Sequence, residues 1–204
     1  MSAAGPHTAG PSVGRRERRD ALLVASVALA LRLAVVAWAS GAIPPAADGV
    51  YYEKIAARIA AGQGYTWLWP DGAVTYAAHY PVGYPAMVAL GYVAFGAKPV
   101  VAMILNAVVG AVGAVGVWSL LARASTRRLA LAGGLAVAAH PVLVPYTAAI
   151  MTEGVTAALL VTAAAAAAEA REVARPRAWL LATGLLMGAA TLVRPQSLAL
   201  APVL

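Results

Sequence analysis

Apolar residues run along this chain in blocks rather than in single alternations. The runs 21–40, 81–96, 100–121, 129–147, 154–168 and 178–193 are almost free of charge, and short basic loops at 123–128 and 171–177 separate the later ones. A bilayer-crossing helix needs about 20 apolar residues, and several of these blocks approach that length. The pattern predicts an all-α, polytopic membrane helix bundle. Residues 41–80 interrupt it: Asp48, Glu53, Lys54, Arg58 and Asp71 fall there, and 10 of the 14 aromatic residues lie between Tyr51 and Phe95. Trp and Tyr favour the membrane–water interface, so the loop over residues 41–98 should lie at the bilayer surface. Within it Tyr51, Tyr52, Ile55 and Ile59 recur at helical spacing, while Lys54 and Arg58 share another face. Residues 49–61 are therefore expected to form a short amphipathic juxtamembrane helix.

Composition agrees with the pattern. The chain is 62% hydrophobic and 11% charged, against about 45–50% and about 25% for a soluble domain. A net charge of +7 would point to nucleic acid in a soluble protein. Here Lys and Arg flank apolar runs, so the charge describes membrane topology and argues against a nucleic-acid partner. Residues 1–14 are rich in Gly, Pro, Ser and Ala and read as disordered. With Arg15, Arg16, Arg18 and Arg19 they form a cytosolic basic tail over residues 1–20, ahead of a membrane module over 21–204. The run 21–40 exceeds the roughly 7–15 apolar residues of a cleaved signal peptide, carries Arg32 near its middle, and reads as an uncleaved anchor.

Topology follows from the basic residues. If residues 81–96 crossed the membrane, both basic loops would be external. If that run lies along the surface or only dips inward, ten of the 15 Lys and Arg residues are cytosolic, as the positive-inside rule requires. Pro81, Gly83 and Pro85 suit such an interfacial entry. A cytosolic N-terminus then gathers Asp48, Glu53, Asp71 and Glu153 at the external face.

Several of these residues admit two readings. Asp48 opens the amphipathic helix, where it could serve as an N-cap or as a free carboxylate. Glu153 opens a later helix, where it could complement the helix dipole or serve as an active-site acid. Arg32, a costly intramembrane charge, either pairs structurally or approaches a phosphate. His140 precedes Pro141 inside an apolar run and should mark a kink. Trp67 and Trp69 read first as membrane anchors and second as a sugar platform. With no Cys and three scattered His, no metal-ligand cluster is legible. No cofactor is required, and a divalent cation at Asp48 and Glu153 has no positive support.

Asp48-x-x-Tyr51-Tyr52, Ile55-Ala56, Gly62-Gln63-Gly64-Tyr65, Tyr80-Pro81-Val82-Gly83-Tyr84-Pro85, the stretch 147–153 and Leu192-Val193-Arg194-Pro195 occur in that order. This set resembles the GT-C glycosyltransferases, in particular the protein O-mannosyltransferase and lipid A aminoarabinose transferase group. Relatives often carry two adjacent acids at the first motif, where Gly49 follows Asp48 here, and Pro-Pro-Gly-Tyr-Pro where this chain has Pro-Val-Gly-Tyr-Pro. The resemblance implies inverting transfer of a sugar from a polyprenyl-phosphate carrier to a lipid, glycan or protein acceptor at the external face of the cell membrane. It implies Asp48 and Glu153 as catalytic carboxylates, since a weakly nucleophilic hydroxyl needs a base. Lys54, Arg58 and Arg194 become ligands of the donor phosphate, whose charge a cation stabilises as it leaves, and Tyr51, Tyr52, His79 and Tyr84 line the substrate. The same resemblance makes 1–204 the N-terminal portion of a longer enzyme, truncated at its C-terminus and inactive alone. The competing class is a membrane transporter or non-catalytic scaffold. A carrier should show paired intramembrane charges or broken helices in matched halves, and only Arg32 lies clearly inside a run.

The topology is directly testable. A cysteine introduced at Ser125 should resist an impermeant thiol reagent in intact cells and react once the membrane is opened; labelling from outside would reverse the assignment.

Overall fold

The computed structural model describes residues 11–203; residues 1–10 of the segment expected to be disordered lie outside that range. The chain forms α1 (Pro11–Ala39), α2 (Asp48–Ala60), β1 (Thr66–Leu68), β2 (Val74–Tyr76), α3 (Gly83–Phe95), α4 (Pro99–Ala124), α5 (Arg127–Ala138), α6 (Thr152–Glu172) and α7 (Arg177–Val193). Short 3-10 segments occupy Pro145–Ala148 and Pro195–Val203. The all-α membrane bundle holds, with one small hairpin added. Helix α1 starts ahead of its apolar run, so the N-terminal arginines continue the helix.

Helices α1, α4 and α6 are long and apolar enough to cross a membrane. Helix α4 is the central post, packed against α1, α5 and α6. Small residues permit this closeness: a Cβ on Gly113 would come 2.8 Å from Ala158 Cβ, and one on Gly134 would come 2.8 Å from Trp118 Cβ. In lipid, where water exclusion does not drive helix association, such close van der Waals packing supplies much of the adhesion.

The apolar run 129–147 does not make one spanning helix. Helix α5 has 12 residues, about 18 Å, and ends at Ala138. His140 therefore does not sit at a kink in a continuous helix. Its Nδ1 accepts hydrogen bonds from the Val142 and Leu143 amides at 3.2 and 3.3 Å, fixing a turn after the helix has stopped. The exposed carbonyls of α5 are met by Arg32, which is 2% exposed. Its Nη1 donates to Ala138 O and Ala28 O, both at 3.1 Å, and Nη2 donates to Val137 O at 3.5 Å. Gly110 makes the space, since a Cβ there would fall 2.6 Å from Arg32 Nε. Of the two roles open to Arg32, the structural one is seen.

Helix α3 stays at one end of the bundle. Its first residue, Gly83, abuts the Leu192–Val193 backbone at the end of α7, while Gly91 abuts Val101 and Leu105 in the first turns of α4. Its 13 residues reach about 20 Å, short of a hydrocarbon core of about 30 Å. The opposite end collects the basic segments. Arg127 makes a two-pronged pair with Asp20 of α1 at 2.6 and 2.7 Å, and Arg123 pairs with Glu169 and Glu172 of α6. Both basic loops thus lie beside the N-terminal arginines, as the charge count requires.

The hairpin pairs Trp67 with Thr75 and Leu68 with Val74 in antiparallel register. A Pro-Asp-Gly turn closes it, with Gly72 at φ 89° and Asp71 Oδ1 accepting the Ala73 amide at 3.0 Å. Trp67 is 8% exposed and packs with Ile55 and Ala77, so it anchors the hairpin to the protein rather than to lipid.

Replacing Arg32 by Leu leaves the α5 carbonyls unpaired in an apolar setting, which should cost about 2 kcal/mol. Thermal unfolding in detergent should show a lower Tm for Arg32→Leu than for Leu31→Ala, a change at an exposed neighbour; equal Tm values would remove this role.

Candidate functional site

Four chain segments meet at the end of the bundle opposite the basic loops. Helix α2 brings Asp48 in its first turn, α6 brings Thr152 and Glu153 in its first turn, and α7 ends at Arg194. Residues 139–151 bring Tyr146 between α5 and α6. Close backbone approach holds them together. A Cβ on Gly49 would lie 3.2 Å from Ile150 O, and one on Gly83 would lie 2.4 Å from Leu192 C. Asn106 of α4 ties down the segment between α5 and α6. It donates to Thr147 O and Ala149 O at 3.3 and 2.8 Å and accepts from the Tyr84 hydroxyl at 3.1 Å.

Glu153 and Arg194 form an ion pair. Glu153 Oε2 also accepts the Tyr146 hydroxyl at 2.7 Å, and Arg194 Nε donates to Thr152 Oγ1 at 2.8 Å. The guanidinium is thereby oriented through Nε and Nη2, leaving Nη1 with no protein partner among the described residues. Asp48 is not an N-cap: the capping position is Ala47, with no side-chain hydrogen bond and a φ of 48°, where L-residues are strained. The Asp48 carboxylate is exposed and accepts the Tyr80 hydroxyl at 3.0 Å. Burial, and then this bond to a carboxylate, push the Tyr80 phenol up to about 12, so it remains a donor at neutral pH.

Tyr52 lies close to both carboxylates. Burial raises its phenol, and Thr152, Asp48, Arg194 and Glu153 all act on it. Its ring meets Tyr80 and Tyr84 edge-on at 5.0 and 5.3 Å. On the outer side Tyr51 stacks on Tyr80 at 5.1 Å and contacts Trp67 at 4.8 Å, with His79 at 4.8 Å from Tyr80. Asp48, Tyr51, Tyr52, His79, Glu153 and Arg194 therefore share one neighbourhood.

The other expected site residues fall elsewhere. Tyr84 is fully buried with its hydroxyl held by Asn106, so it packs beneath the site in the core rather than on its exposed side. Lys54 and Arg58 lie on another face of α2, where with Glu53 and Trp67 they line a separate recess of about 310 Å³. Lys54 Nζ sits 5.7 Å over the Trp67 ring, and Arg58 Nε donates to Thr66 Oγ1 at 2.8 Å. Burial raises the Glu53 carboxyl and the neighbouring Lys54 opposes that rise. These two cations are not brought to Arg194. Among the described residues no group of three or more His, Asp or Glu side chains is placed to hold a metal ion.

Tyr146, Thr152 and Asn106 escaped the sequence reading. Asn106 was detectable as the lone amide in the apolar run 100–121, since a polar group at that depth needs a partner. Tyr146 had no periodic signal, because it lies in a four-residue 3-10 segment too short to show one.

A family model described as dolichyl-phosphate-mannose-protein mannosyltransferase matches residues 79–204. The matched stretch contains Tyr80, Asn106, Tyr146, Glu153 and Arg194, whereas Asp48 precedes it. No curated protein and no solved structure matches the chain. The family model covers more than half of the sequence, and its segment carries the ion pair and the clamp that orients it: the chain belongs to the dolichyl-phosphate-mannose-protein mannosyltransferase family of membrane glycosyltransferases.

Proposed function

We propose that this module transfers a sugar from a polyprenyl-phosphate carrier to an acceptor hydroxyl at the external membrane face, with inversion at the anomeric carbon. The observation that carries the reading is the gathering of Asp48, Tyr52, Tyr80, Glu153 and Arg194 at the end of the bundle remote from the basic loops. That end is external if the basic loops are cytosolic.

The two carboxylates have different surroundings and so different parts. Glu153 is engaged by Arg194 and Tyr146 and acts as a positioning residue that aims the guanidinium. Asp48 has no cationic partner among the described residues, holds only the Tyr80 hydroxyl, and is open to solvent. It is the better general base. In the proposed step Asp48 takes the acceptor proton, the acceptor oxygen bonds to the anomeric carbon, and the carbon–oxygen bond to the carrier phosphate breaks with its electrons on the phosphate. Arg194 Nη1 meets that developing charge, which a planar guanidinium does well. Tyr51 and His79 form the exposed aromatic side on which the sugar rests. Lys54 and Arg58 are left out of the phosphate site by their placement.

Asp48→Asn keeps the hydrogen bond from Tyr80 and removes the base. In proteoliposomes with a polyprenyl-phosphate sugar, turnover should fall about 10²–10⁴-fold with donor binding retained. Parental turnover would assign the base elsewhere, with Glu153 next. Arg194→Lys keeps the charge but loses the fork, and should lower turnover about 10²-fold; unchanged turnover and donor affinity would reduce Arg194 to an interfacial anchor.

A further inference from the structure

At the basic end of the bundle, away from the glycosyl-transfer site, α1 and α5 leave a cleft of about 550 Å³. Arg16, Arg19, Asp20 and Leu23 line it from α1, and Arg127 and Leu131 from α5. The charges do not cancel. Asp20 is 4% exposed and is engaged by both prongs of Arg127. Arg16 and Arg19 are exposed and make no ion pair among the described residues. Glu17 is not part of the lining. Three guanidinium groups against one carboxylate leave the cleft with an excess of two positive charges.

The apolar part of the lining follows directly. Leu22 and Leu23, one turn beyond Arg19, are 65% and 46% exposed. They mark the start of the apolar run of α1, and Leu131 faces them one turn beyond Arg127. Cations come first and hydrocarbon second along both helices. A phospholipid presents its phosphate and its acyl chain in that same order, whereas a free phosphate would use the guanidinium groups and leave the leucines bare. Clusters of basic side chains between membrane helices suit anionic headgroups for this reason.

We propose that the α1–α5 cleft binds one anionic phospholipid, its phosphate held by Arg16, Arg19 and Arg127 and its acyl chain laid along Leu22, Leu23 and Leu131. Arg127 is already oriented by Asp20, so the cleft is partly organised before the lipid arrives. The lipid seals the seam between α1 and the short helix α5, whose other end Arg32 holds.

The test is native mass spectrometry of the purified full chain in detergent, titrated separately with phosphatidylglycerol and phosphatidylcholine, and with glycerol 3-phosphate as competitor. Phosphatidylglycerol should be retained, phosphatidylcholine should not, and glycerol 3-phosphate should fail to displace the bound lipid. Arg16→Gln with Arg19→Gln removes two unpaired, exposed cations while keeping good helix formers, and should weaken retention about 30-fold. Arg171→Gln with Arg175→Gln removes the same charge from the same end outside the cleft, and should leave affinity unchanged. Equal weakening by both pairs would mean diffuse attraction to a basic surface and would overturn the site. Equal retention of phosphatidylcholine, or displacement by glycerol 3-phosphate, would overturn the phospholipid assignment.

Discussion

A helix that stops inside an apolar bundle leaves its last carbonyls without partners, and water is not there to receive them. In this chain that need falls on Arg32. One guanidinium from α1 reaches Ala138 O and Val137 O of α5 as well as Ala28 O of its own helix, and the positive charge also suits the negative end of the α5 dipole. The two costs, a buried cation and unpaired carbonyls, offset each other. With α5 capped in this way the chain is free to leave α-helical geometry over residues 139–151, passing through turns and the 3-10 segment Pro145–Ala148, and that stretch then sets the position of Tyr146 and the start of α6.

The functional end follows from that release. Asn106 holds the α5–α6 connection through Thr147 and Ala149 and is itself held by Tyr84. Tyr146 then reaches Glu153, Glu153 aims Arg194, and the backbone contacts at Gly49 and Gly83 bring α2 and α3 against the same spot. Asn106, Tyr146 and Arg194 each bond to a residue of another element, which holds the donors in place where a reacting phosphate would need them fixed. The exposed aromatic side at Tyr51 and His79, where the sugar is proposed to rest, lies outside this clamp.

Much of this was legible from the chain alone, and for identifiable reasons. The apolar blocks and the clustering of Arg outside them carried the class, and counting charges grouped both basic loops with the N-terminal arginines, which the pairs of Arg127 and Arg123 bring to one end of the bundle. Ordered motifs located Asp48, Glu153 and Arg194. What was not legible depended on three-dimensional pairing. The stretch 129–147 reads as one apolar block, and although His140-Pro141 marks a disturbance in it, that the helix stops there rather than kinks shows only in the structure. Local composition does not say that Tyr84 points into the core while Tyr51, on another element, points out. Periodicity put Lys54 and Arg58 on a common face, yet only packing shows that this face turns toward Trp67 and away from Arg194. The hairpin had a readable signal in its Pro-Asp-Gly turn, which the aromatic richness of the segment obscured.

Asp48 and Arg194, both close to Tyr52, are proposed to build the one site that receives the donor. A structure of the protein in a lipid nanodisc with a non-hydrolysable polyprenyl phosphonate sugar tests it most directly. The account predicts the phosphonate oxygens at Arg194 Nη1 and the anomeric carbon facing the Asp48 carboxylate, with Glu153 still bound to Tyr146. A phosphonate seated in the recess of Lys54 and Arg58, with Arg194 untouched, would contradict it.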